Sequence, residues 1–173
     1  MANAPQTSGP TPRSDTASSL GHTIGRLATL LKSGAVSPGD RAALRRMQPG
    51  QSPPLTWYQF AVVAGLDSPD SEPDWMTIVA GMALMSPEAH APGRPFGTAL
   101  ATTGYSELRL ERLLASEGQT QRLLLLRTAR FLAAHRTGAN WVQPATLLLA
   151  REHHRREAVR NQVATDFFRH PKP

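Results

Sequence analysis

Apolar residues in this chain return at three- and four-residue steps between breaks marked by proline or glycine. Nowhere do they alternate with polar residues over the length of a strand flanked by hairpin turns. Side chains three and four apart share one face of a helix, so each segment carries a stripe that only other helices can cover, and the class is all-α. Leu20, Ile24, Leu27 and Leu31 define a first helix running to about Ser33 and stopped by Gly34. Ser37 then serves as N-cap to a second, with Pro38 at its first position and Asp40 three residues after the cap, opening the short basic stretch DRAALRRMQ.

LTWYQFAVVAG and WMTIVAGMALM, separated by the acidic loop LDSPDSEPD, are the most apolar segments and the expected core. After SPEAHAPGRP come FGTALATT, GYSELRLERLL, a long helix through TQRLLLLRTARFLAAHR, NWVQPATLLLAR and HRREAVRNQVATDFF. The expectation is eight or nine helices in two small bundles, residues 15–90 and 91–170, behind a disordered leader over residues 1–14. Pro49 to Pro53 and Ser86 to Pro95 are the natural hinges, the second marking the boundary. At 173 residues the chain can bury a core without a metal or disulfide staple.

The inventory of reactive groups is thin. With no cysteine, thiolate metal sites, disulfides and thiol nucleophiles are excluded together. No phosphate loop ending in Lys-Ser/Thr occurs, nor a His-Glu-x-x-His helix or a serine in a Gly-x-Ser-x-Gly context. His153 and His154 are adjacent on a helix and point about 100° apart, which does not suit one shared ion. Glu88 and His90 read as solvated loop residues. No catalytic residue, metal or cofactor is therefore expected. The N-terminal sequence has no apolar signal core, and no later run approaches membrane-spanning length.

What stands above this background is arginine. Net charge is +6, and the only lysines are Lys32 and Lys172. Guanidinium forks suit phosphate and carboxylate oxygens, while a GC-rich coding sequence would also favour arginine, and composition leaves both explanations open. On the long helix Leu124, Leu125, Phe131 and Leu132 fall on one side and Arg122, Arg127 and Arg130 on the other. Leu123 and Leu126 lie among those arginines, so a protein contact or a second helical layer is expected there, or simply arginine stems covering apolar surface. On the last helix Val159, Val163 and Phe167 form the core stripe, flanked by Arg156 and Arg160, with Arg151 and Arg155 further round. Arg41, Arg45 and Arg46 cluster on the second helix. In GYSELRLERLL, Leu110, Leu113 and Leu114 point inward, Ser106 caps, and Arg109 and Arg112 read as an interhelical joint near Glu107 and Glu111.

GDRAALRRM (Gly39 to Met47), FGTALATTGYSELRLERLLAS (Phe96 to Ser116), the long arginine-leucine helix and the Trp141 helix before a basic terminal helix resemble, in that order, the CasB family. That family is the small subunit of Cascade, the type I-E CRISPR surveillance complex, and the resemblance spans about Leu27 to Phe168. It implies an all-helical, non-catalytic cytoplasmic protein in two bundles. It also implies that two copies lie head to tail beside the other Cascade subunits, with a basic surface that holds guide RNA, target DNA and the displaced strand of the R-loop. The family's Leu-Arg-Arg motif falls on Leu44, Arg45 and Arg46, which carries a nucleic-acid role to those arginines. Relatives often have Gly-Arg-Ala-Leu where this chain has Gly97-Thr98-Ala99-Leu100, leaving Arg94 to substitute, and Asn140 stands where aspartate is common. The candidate nucleic-acid residues are Arg41, Arg45, Arg46, Arg94, Arg122, Arg127, Arg130, Arg156 and Arg160. Two rivals are a free-standing α-helical DNA-binding regulator, with DRAALRRMQ as its recognition helix, and an adaptor whose basic faces meet acidic proteins.

Overall fold

The computed structural model describes residues 15–66 and 69–170. The leader over residues 1–14 lies outside them. Nine α-helices occur among the described residues: α1 (Asp15–Lys32), α2 (Pro38–Arg45), α3 (Leu55–Ala64), α4 (Glu72–Met85), α5 (Phe96–Thr102), α6 (Glu107–Ala115), α7 (Gly118–Ala134), α8 (Val142–Leu149) and α9 (His153–Phe168). The expected all-α class holds. Local chemistry sets the boundaries. Ser37 caps α2, its hydroxyl accepting from the Asp40 amide, and Ser106 does the same for α6 through the Arg109 amide. Gly65, in the left-handed conformation, closes α3. α2 ends sooner than DRAALRRMQ suggests, because the Arg46 and Met47 amides bond to the carbonyls three residues back before Pro49.

α4 organises the molecule. It is apolar all round, and Met76 to Ala83 and Met85 are buried, which requires helices on every side. α1 and α2 cover it from the first half of the chain, α7 and α8 from the second. One apolar core therefore runs from Leu27, Leu44 and Trp57 through Ile78 and Met82 to Leu125, Trp141 and Phe167. α5 and α8 pack on α9, and α6 on α7. On α7 Leu126 is buried at the edge of the face that packs on α4, whereas Leu123 is exposed. The division at residue 90 is a proposal about topology, since the core passes through it.

Three close approaches to backbone or a packed ring need glycine, one of them at Gly138, where a Cβ would lie 2.6 Å from the Glu88 carbonyl oxygen. A Cβ on Gly81 would lie 2.2 Å from the Trp141 indole, and one on Gly97 would lie 2.1 Å from the Val163 carbonyl oxygen of α9. The segment Ser86 to Pro95, expected to be a hinge, is stitched to residues 138–143. The Ala91 amide donates to the Ala139 carbonyl at 3.0 Å, the Asn140 amide to the Arg94 carbonyl at 2.8 Å, and the Phe96 amide to Gln143 Oε1 at 2.6 Å. His90 is not a solvated loop residue. It is partly buried, and its Nδ1 accepts from the Trp141 amide at 3.2 Å. α3 presents Leu55, Tyr58, Val62 and Val63 to solvent.

Gly81→Ala and Gly97→Ala are each expected to cost about 1 to 3 kcal/mol by overpacking. Gly25→Ala, in α1 with open space where the methyl would go, should instead gain about 0.5 to 1 kcal/mol. Urea midpoints measure all three, and a neutral Gly97→Ala would contradict the close α5–α9 contact. Burial lowers the His90 pKa, against the raising effect of its Ala139 backbone hydrogen bond. The folded state thus favours neutral imidazole. Its contribution is present above about pH 6.5 and is lost as pH falls through the folded value. The urea midpoint should drop below about pH 6.5 more steeply in the wild type than in His90→Gln, and parallel profiles would refute the assignment.

Candidate nucleic-acid interface

The nine candidate arginines fall into two groups. Five are committed to the fold. Arg41 Nη2 donates to the Ser33 and Val36 carbonyls at 3.3 and 3.2 Å, fastening the α1–α2 turn. Arg45 Nε donates at 2.8 Å to the Ala83 carbonyl in the last turn of α4, which the Ser86 amide reaches only at 3.4 Å. Arg122 pairs with Asp74 at 2.7 Å, and with side chains 23 % and 16 % exposed this pair ties the start of α7 to the first turn of α4. Arg156 and Arg160 converge on Glu117 at 3.8 and 3.2 Å, and Arg160 also meets Glu157 at 2.5 Å. Arg151 and Arg155 have ion pairs too, with Asp70 and Glu152, the first of them solvated and of little energetic weight.

The other four, Arg46, Arg94, Arg127 and Arg130, are exposed, and none of the ion pairs among the described residues involves them. Arg127 and Arg130 are one turn apart on α7 and share a face. Arg46 follows α2, and Arg94 lies on the stitched segment, its carbonyl held by Asn140. A recognition-helix role for α2 fits poorly with this arrangement, since Leu44 is buried and Arg41 and Arg45 turn inward.

Two arginines set aside on sequence belong with the exposed group. None of the ion pairs among the described residues links Arg109 or Arg112 to another helix. Both arginines line a groove of about 290 Å³ between α6 and α7, with Tyr105, Leu124, Arg127 and Phe131. Spacing explains the convergence: 109 and 112 form one row, 124, 127 and 131 the facing row. Tyr105 and Phe131 meet edge to face with ring centroids 5.1 Å apart, and the Tyr105 hydroxyl is 2.8 Å from the Thr128 hydroxyl. Burial raises the Tyr105 pKa, while the Thr128 hydrogen bond and the Arg109 charge pull it back. The facing rows are a signal available in the sequence, but only once α6 and α7 are known to be neighbours.

Among the described residues no group of three or more histidine or acidic side chains is placed to hold a metal ion. No helix among them is long and apolar enough to cross a membrane. A family model described as "CRISPR-associated protein Cse2" matches residues 40–168. Neither a curated protein nor a solved structure matches the chain.

Arg45→Ala is expected to lower stability by about 1.5 to 3 kcal/mol, the range for a hydrogen bond to a charged group. Arg46→Ala, one residue on, should leave the thermal midpoint unchanged. Equal midpoints for the two variants in a thermal melt would contradict the inward role of Arg45.

Proposed function

Because the chain belongs to the Cse2 family of CRISPR-associated proteins, the CasB small subunits of Cascade, we propose that it is a non-catalytic clamp on nucleic acid within that complex. Its partners are the other Cascade subunits, a second copy of itself, guide RNA and target DNA, in the cytoplasm. Exposed arginines carry the reading: Arg46, Arg94, Arg127 and Arg130 take part in none of the ion pairs among the described residues. Arg45 engages Nε alone, which leaves its terminal nitrogens for a neighbouring phosphate. Arg41, Arg122, Arg156 and Arg160 contribute by holding the surface in shape.

The physical logic is electrostatic. Forming an R-loop exchanges one duplex for another of about equal stability, so base pairing alone leaves the opening nearly balanced. A few guanidinium–phosphate contacts release counterions and tip that balance without reading any base. A subunit with this role needs neither a recognition helix nor a catalytic group. The exposed stripe of α3, with Leu55 81 % and Val62 75 % accessible, favours a chain that works inside an assembly over a free-standing regulator, which would leave that surface in water.

The test is the quadruple variant Arg46→Ala, Arg94→Ala, Arg127→Ala and Arg130→Ala assembled into Cascade. Target affinity should fall by a similar factor for every guide-matched target. The plot of log affinity against log salt should shallow by about 0.7 to 0.9 per phosphate contact removed. An assembled variant complex with unchanged affinity and slope would sink the clamp reading, and a loss confined to particular sequences would favour the regulator.

A further inference from the structure

The α6–α7 groove combines features that general backbone binding does not require. Its rim carries three guanidiniums, those of Arg109, Arg112 and Arg127, and no carboxylate lines it. Its wall is apolar, made of Leu124, Phe131 and the ring of Tyr105. Like charges brought together across a crevice repel one another, and the ion pairs among the described residues offer these three no relief. An anion lodged among them would supply it. Phosphate contact alone would be met as well on an open helix face. A recess of about 290 Å³ with an aromatic wall adds room for a flat, largely apolar body beside the anion.

We propose that this groove seats one unstacked nucleotide of a single strand, with its base against Phe131 and its flanking phosphates on Arg109, Arg112 and Arg127. This rests on the reading of the protein as a nucleic-acid clamp and adds to it a preference for strand form. A base within a duplex is stacked on both faces and cannot enter a side pocket. A base in a separated strand can, and a contact between a base and an aromatic ring tolerates any sequence because every base has a π-face. The groove thereby distinguishes opened from closed DNA while remaining blind to the letters. Tyr105 acts as a positioning residue: its hydroxyl is anchored on Thr128 of α7, and its ring meets the Phe131 ring edge to face, fixing the wall against which the base would lie.

The experiment uses the full-length chain and three fluorescent probes: an oligothymidylate, the same strand with abasic sites along its centre, and a duplex. Binding is followed by anisotropy for the wild type, for the groove variant Arg109→Gln with Arg112→Gln, and for Arg46→Gln with Arg94→Gln outside the groove. The expected result is that the wild type binds the thymidylate about fivefold or more tightly than the abasic strand. The groove variant loses that ratio, and the outer variant keeps it while binding every probe more weakly. Both variants change only exposed side chains, and the wild-type ratio is informative without either of them. Equal affinity of the wild type for the base-bearing and abasic strands, with salt-dependent binding of both, overturns the groove assignment and leaves the clamp standing. A ratio that survives in the groove variant places the base elsewhere and overturns it as well. Absence of binding to all three probes removes both readings. Polyglutamate that displaces the strand as effectively as free oligothymidylate does would assign the groove to an acidic peptide.

Discussion

The rest of the structure depends on how Trp141 meets Gly81. α4 is apolar around its whole circumference and has to be enclosed, and the indole closes it on the side facing the second half of the chain. It lies so near that a methyl on Gly81 would overlap the ring. The indole N–H finds no hydrogen-bond partner among the described residues, so packing holds the ring there and polarity opposes it. Once Trp141 is seated, residues 138–140 pass beside Ser86 to Pro95, and the backbone bonds between the two segments follow. The hydrogen bond from the Trp141 amide to His90 belongs to the same join. Gly97 has the equivalent role in the next layer out, letting α5 rest on the backbone of α9. The site inherits its rigidity from this core, because α7, which supplies Arg127 and Arg130, packs directly on α4.

The elements themselves were legible in the sequence. Periodicity locates the helices to within a few residues, Ser37 and Ser106 announce their caps, and the stripe of Val163 and Phe167 is buried as the spacing requires. What periodicity does not carry is the identity of the neighbour across each face. Arg45 lies on the side of α2 where a helical wheel puts solvent, yet its guanidinium meets a carbonyl at the end of α4, 38 residues on. Arg122 meets Asp74 across 48 positions. His90 has no local feature that foretells burial, because the segment covering it begins nearly fifty residues later. The α6–α7 groove was missed for the same reason: each of its rows is visible alone, and only the packing of the two helices turns a pair of arginine-bearing faces into a recess.

Composition left two explanations for arginine over lysine, phosphate binding and coding bias, and the inward-turned arginines add a third. Arg41 joins two carbonyls with one terminal nitrogen. Arg160 reaches Glu157 with one branch of its fork and Glu117 with the other. The Arg160 contacts use two nitrogens held in one plane at fixed angles, which an ammonium on a flexible stem does not reproduce. Some of the arginine content is therefore structural, and it stands beside the arginines that face outward. The two sets also assist each other. Acidic side chains such as Glu117 and Asp74 are occupied by the inward arginines, which leaves fewer carboxylates to neutralise the outward ones. A surface field of positive sign thus survives in a chain whose acidic residues number 13 against 19 lysines and arginines, and that field is what a polyanion would meet first.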